Sequence, residues 1–241
     1  MHDPERAAGL VLDDLVLEQG TFRLRADVSL RPGALTAIIG PSGAGKSTLL
    51  SAIAGFEALT GGAIGWQGAP IDHLPPGQRP VSILFQDNNL FPHLTIAQNI
   101  GLAIDPRLRL GAEDKMRIAD LLARLGLEGM GTRKPGTLSG GQQSRAALGR
   151  VLVADRPIVL LDEPFAALGP GLRRDMLGLA REMLADRTVL MVSHDPDDAR
   201  GFADETIFID GGIAHAPRPT EALFAEPGPA LAAYLGQSHT P

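Results

Sequence analysis

Residues 22–30, "FRLRADVSL", alternate without a break. Phe22, Leu24, Ala26, Val28 and Leu30 fall on one face, and Arg23, Arg25, Asp27 and Ser29 on the other. A period of two with one polar face predicts a half-exposed antiparallel strand, and "LVLDDLVL" (10–17) predicts its partner. The pattern then changes. "ALTAII" (34–39), "VSILF" (81–85), "IVLLD" (158–162) and "TVLMVS" (188–193) are short, unbroken apolar runs separated by stretches of helical character. Strands buried on both faces and joined by helices predict a parallel sheet of the α/β type. Residues 95–153 read as a helical section, with apolar positions at helical spacing in "AEDKMRIADLLARLG" (112–126). After Asp210 a Gly-Gly pair predicts a turn, followed by a polar, Pro-rich tail with two short helices.

The expected architecture is one α/β domain over 1–241. A small N-terminal antiparallel β layer and a parallel core take up about 1–86 and 155–241, and a helical insertion takes up about 87–154. No internal repeat or low-complexity tract interrupts it.

Two motifs carry chemistry on this frame. "GPSGAGKST" comprises Gly40, Pro41, Ser42, Gly43, Ala44, Gly45, Lys46, Ser47 and Thr48, and fits G-x-x-x-x-G-K-S/T. A buried strand precedes it and a helix follows, the context that separates a phosphate loop from a glycine-rich turn with an incidental lysine. Glycines let several N–H groups converge on one anion, and the helix N-terminus adds its partial positive charge. Lys46 would reach the terminal phosphates, and Ser47 would offer its hydroxyl to Mg²⁺. In "IVLLDEP" (158–164), Asp162 emerges at a strand's C-terminal tip, where α/β sheets bind ligands and a carboxylate can hold Mg²⁺. Glu163 points elsewhere and can polarise a water toward a γ-phosphate. Together these features predict a P-loop NTP hydrolase or kinase.

Composition narrows the class. Hydrophobic residues make up 44% and charged residues 21%, which excludes wholesale disorder. The net charge of −6 and the lack of any Lys/Arg cluster argue against a nucleic-acid binder, which needs a basic stripe. With no cysteine, disulfides and thiolate metal sites are excluded. The polar start "MHDPERAAGL" does not read as a secretory leader, and no apolar run approaches the roughly 18–20 residues of a membrane span. His2, His73, His93, His215 and His239 have no metal-like spacing and read as solvated or structural.

A second glycine-rich turn, "LSGGQ" (138–142), precedes the apolar-periodic helix "SRAALGRVLV" (144–153). It lacks a lysine and lies in the helical section, away from the first phosphate loop. With it, the chain resembles the ATP-binding cassette (ABC) ATPases along nearly its whole length. The resemblance implies ATP and Mg²⁺ as cofactors, and a head-to-tail homodimer with two ATPs sandwiched between subunits. Ser139, Gly140 and Gly141, with Gln142 completing the loop, would face the nucleotide held by the other subunit. Gln86, in "VSILFQ", would be the glutamine that touches Mg²⁺ and flexes with a membrane partner. His194, in "MVSHD", would be the switch histidine at the γ-phosphate. Two departures stand out. Gly169 in "AALGP" occupies the place of the family's usual aspartate, which couples the two ATP sites. No tyrosine lies in "LVLEQGTFRLR", leaving Phe22 as the candidate for stacking on adenine. Trp66 and Tyr234, the sole Trp and Tyr, read as packing residues distant from that strand.

The text "QDNNLFPHLTIAQNI" (86–100) is similar to the groove where importer cassettes receive a helix of their permease. Leu90, Phe91 and Leu94 suit either such a contact or core packing. The longer stretch 75–102 resembles the ATPase subunits of bacterial thiamine importers, and those of iron(III), polyamine and molybdate importers are similar. The implied partners are integral membrane permease subunits and, through them, a periplasmic or surface solute-binding protein, with the cassette peripheral on the cytoplasmic face of the bacterial cell membrane. A non-transport ABC ATPase of DNA repair or translation is the alternative; such proteins carry coiled-coil arms, tandem cassettes or basic surfaces, none visible here. A P-loop kinase would lack both "LSGGQ" and the histidine.

Overall fold

The computed structural model describes residues 9–236; His2 and His239 lie outside the described residues. Strand β1 (Leu10–Gln19) turns through Gly20 and Thr21 into β2 (Phe22–Leu30), its antiparallel partner from Gln19↔Phe22 to Leu10↔Leu30. The alternation read from the sequence holds: Leu24, Ala26, Val28 and Leu30 are buried, and Arg23, Arg25 and Asp27 are exposed. β1 outruns its expected end at Leu17, and a bulge between Leu12 and Leu15 puts Asp14 at φ 44°.

The parallel core contains β3 (Leu35–Ile39), β6 (Val81–Leu84), β7 (Ile158–Asp162), β8 (Thr188–Val192) and β9 (Glu205–Asp210), ordered β9-β3-β8-β7-β6. Its residues divide between two apolar clusters, one per face. Leu35, Ala37 and Ile39 of β3 join the cluster built with helices α4 (Gly140–Ala154) and α5 (Pro170–Met183). Ile38 joins the other, beneath helix α1 (Lys46–Ala54) and the antiparallel layer. The unbroken apolar runs thus reflect two buried faces.

Two of the longer strands escape the periodicity reading. β4 (Gly61–Trp66, "GGAIGW") pairs with β1 at Leu10↔Trp66, and its glycines hide the alternation. Trp66 therefore belongs to the layer that holds Phe22, but at its opposite end, level with Leu30 rather than Phe22. β9 carries the strand-like text "ETIFID" immediately before the predicted Gly-Gly turn. That turn joins β9 to β10 (Ile213–Ala214), which pairs antiparallel with β9 and parallel with β2, welding the two layers into one sheet.

The helical section comprises α2 (Ile96–Gly101), α3 (Ala112–Arg124) and α4, and the chain continues through α5, α6 (Pro196–Phe202), α7 (Thr220–Ala225) and α8 (Pro229–Tyr234). Among the described residues no helix is long and apolar enough to cross a membrane.

One buried cation fixes the phosphate-loop helix. Arg79, 4% exposed, donates from Nη1 to the carbonyls of Ala52 (2.7 Å) and Ile53 (2.9 Å) at the end of α1. Nη2 reaches Asp72 O at 2.7 Å and Nε reaches Leu74 O at 2.9 Å. A guanidinium at a helix C-terminus satisfies orphan carbonyls and matches the dipole. Arg79→Ala strips four bonds from buried carbonyls and should cost about 2–4 kcal/mol. Arg79→Lys cannot reproduce the fork and should recover less than half of that loss in urea unfolding.

Candidate functional site

The parallel strands deliver their C-terminal ends to one edge. Beyond Ile39 the chain bends through Gly40 at φ 150°, where a Cβ would lie 2.3 Å from Ile209 O. Gly45, the N-cap of α1, sits at φ 95°, and a Cβ there would meet Phe22 Cζ at 2.5 Å. Both positions admit glycine alone. Phe22 therefore lies half-buried against the floor of the phosphate loop.

Lys46 is 7% exposed and donates from Nζ to Gly40 O (2.8 Å) and Pro41 O (2.9 Å), so its ammonium is folded back over the loop's mouth. Burial pulls its pKa down, opposed by the charges of Glu163 and Asp162. Ser47 donates from Oγ to Asp162 Oδ1 at 2.8 Å, joining the start of α1 to the tip of β7. Burial pushes the Asp162 carboxyl up; the Ser47 bond works against that, Glu163 adds to it, and Lys46 opposes it. A hydroxyl and a carboxylate at this spacing are hard oxygen donors that fit Mg²⁺, which takes few protein ligands and completes its shell with phosphate and water.

Glu163 departs from the strand at φ 46° while its N–H still bonds Val192 O at 3.1 Å. The left-handed turn carries its side chain to His194, whose Nδ1 stands 3.3 Å from Glu163 Oε2. His194 follows the end of β8 and is 52% exposed. Gln86 is exposed two residues past β6, whose Leu84 pairs with Leu161, so it stands at the same sheet edge as Asp162.

Ser139–Gln142 occupy a different element. Ser139 caps α4, its Oγ accepting from Gln142 N (3.4 Å), while Gln142 Oε1 accepts from Ser139 N (3.0 Å). Gly141 is buried, and a Cβ there would press Leu172 Cδ2 at 2.8 Å. The loop's polar contacts are thus local, and Ser139 and Gly140 face outward.

Three supporting groups were not visible as such in the sequence. Arg150 of α4 donates to Asn89 O (2.6 Å) and Asn88 O (3.4 Å), pinning two left-handed asparagines just after Gln86. Arg173 of α5 bonds Ser193 Oγ (3.2 Å) and pairs with Asp198, while Ser193 Oγ donates to Asp198 Oδ2 (2.6 Å), immediately before His194. The Tyr234 hydroxyl meets the His194 carbonyl. In sequence each arginine reads as an ordinary helix-surface charge; only the tertiary packing buries them.

A family model described as "ABC transporter" matches residues 24–166. The chain is 61% identical over 229 residues to the thiamine import ATP-binding protein ThiQ of Cereibacter sphaeroides, covering 94% of this chain and 99% of that protein. The chain belongs to the ABC transporter family. An ATP-binding cassette of an ABC transporter solved in its ADP conformation shares the fold at TM-score 0.84 and 24% identity, covering 95% of this chain and 98% of that one. A second cassette, a dimer in a post-hydrolysis state bound to ADP and Pi, superposes at TM-score 0.74 with 28% identity over 88% of this chain and 98% of that one. The ABC fold expected from the sequence is the fold observed.

The raised Asp162 pKa makes a prediction with a definite sign. Its carboxyl favours the folded state only while protonated, a contribution present below the ordinary value of about 4 and lost as pH rises through the folded pKa. At neutral pH the ionised group costs stability. Asp162→Asn should therefore raise Tm at pH 7, with the gap closing toward pH 4, when melting is followed by circular dichroism.

Proposed function

We propose that the chain is the ATP-hydrolysing subunit of an ABC importer and that its solute is thiamine. The observation that carries the ATPase reading is the convergence of Lys46, the Ser47–Asp162 pair and the Glu163–His194 pair at the C-terminal ends of adjacent strands. ATP binds with its phosphates in the loop 40–48, where backbone N–H groups and Lys46 offset their charge. Ser47 and Asp162, with Gln86 at the same sheet edge, would hold Mg²⁺, which would neutralise charge on the phosphates. Glu163 orients and deprotonates the attacking water, and His194 supports the γ-phosphate from the other side. Phe22 packs against the adenine. Most of the rate enhancement comes from positioning and charge stabilisation.

The turn Ser139, Gly140, Gly141 and Gln142, with Ser139 and Gly140 facing outward, closes over the ATP of a second copy, head to tail. Phe56 (56% exposed), packed on Phe85 at 6.1 Å beside Gln86, and Phe91 (46% exposed), later in the same segment, are exposed apolar side chains that suit a permease helix. Leu90 and Leu94 are half-buried and serve packing more than docking. Through the permease the cassette works with a solute-binding protein, and it sits on the cytoplasmic face of the cell membrane. The thiamine import names of close relatives favour thiamine over iron(III), polyamines or molybdate.

In cells carrying Glu163→Gln in place of this chain, labelled thiamine uptake should fall to background, with ATP turnover down at least about a hundredfold. Undiminished uptake removes thiamine from the reading. Gly169 caps α5 in an extended conformation, and a Cβ there meets nothing within 4 Å. Aspartate therefore fits, and it is also a good helix cap. Gly169→Asp should raise the ATPase rate or its Hill slope in ATP; unchanged values would show that coupling between sites does not depend on this position.

A further inference from the structure

We propose that the Tyr234 hydroxyl is a positioning group for His194, tying the C-terminal helix α8 to the switch loop. The proposal rests on the reading of His194 given above and adds a residue to it.

The β3–β8 ladder runs to Ile38↔Val192, and the last bond beyond it is Ser193 N to Ile38 O at 3.2 Å. Past that point β3 leads into the phosphate loop and β8 into the loop carrying His194, and strand pairing no longer holds the two together. Tyr234 Oη stands there and donates to His194 O at 3.3 Å. One side chain thus holds the His194 backbone where the sheet stops.

The ring is placed to do this. Helix α8 buries Leu231 and Ala232, and Tyr234 packs on Phe208 of β9 with centroids 5.8 Å apart. Phe208 pairs in register with Ile39 and stacks on His215 on another side at 6.2 Å. Burial pushes the phenol's pKa up, so the group stays a neutral donor across the working range. From the opposite side, Arg173, Ser193 and Asp198 fix the backbone just before His194. The histidine ring itself is half-exposed and contacts the Glu163 carboxylate, so its position depends on how its backbone is held.

The test compares Tyr234→Phe, which keeps the ring on Phe208, with Tyr234→Ala, which removes both ring and hydroxyl, in the purified full-length chain. One neutral hydrogen bond is worth about 1 kcal/mol, about fivefold in rate. Tyr234→Phe should lower kcat about fivefold at unchanged KM for ATP and unchanged Tm, and should shift the His194 ring Cε1–H resonance, assigned by its loss in His194→Ala. Wild-type kcat and an unmoved resonance in Tyr234→Phe, with only Tyr234→Ala impaired, would reduce the residue to packing and overturn the proposal. Wild-type kcat in His194→Ala would instead overturn the reading of the switch histidine itself, a separate failure that the single variant identifies.

Discussion

The parallel pairing of β3 with β8 and of β8 with β7 ends on one rung, Ile38↔Val192↔Asp162, and the chemistry hangs from it. Gly40, Glu163 and His194 each follow that rung within two residues of their own strands. A slip of one residue in the β7–β8 pairing would turn Glu163 and His194 to opposite faces. The register is secured by burial on both sides of the sheet, since alternate residues of β3 enter different apolar clusters. Catalytic geometry is in this sense a by-product of core packing.

The edge so formed is electrostatically tense. A buried ammonium, a half-buried carboxyl and a second carboxylate crowd together, with burial lowering the pKa of Lys46 and raising that of Asp162. Lys46 meets this by bonding backbone carbonyls of its own loop, and Asp162 by taking the Ser47 hydroxyl. These are contacts that phosphate and Mg²⁺ would replace with stronger, charge-assisted ones. The ring of supporting arginines has a different task. Arg79, Arg150 and Arg173 each clamp backbone or loop groups next to a functional segment, turning mobile turns into fixed ones.

Much of this was legible in the sequence because the motifs have rigid local demands. "GPSGAGKST" requires its glycines at positions where a Cβ would collide with Ile209 O or Phe22, and "IVLLD" announces a strand buried on both faces. The strict alternation in β2 likewise fixed its bounds. What escaped depends on tertiary placement. β4 is too rich in glycine to show a period, Trp66 joins the layer of Phe22 only through β1, and Tyr234 reaches the switch loop from about forty residues downstream. Arg173 carries no local sign that it will be buried between Ser193 and Asp198. Periodicity reports which face is covered, not by what.

The central claim is that this cassette completes its site with a second copy around ATP, through residues 139–142. The most direct measurement is the hydrodynamic size of the Glu163→Gln protein on a sizing column, with and without ATP and Mg²⁺. The account predicts a monomer without nucleotide and a dimer with it, and the dimer should vanish when Ser139 is also replaced by arginine. A monomer under both conditions would contradict the sandwich and leave the outward-facing turn without its nucleotide.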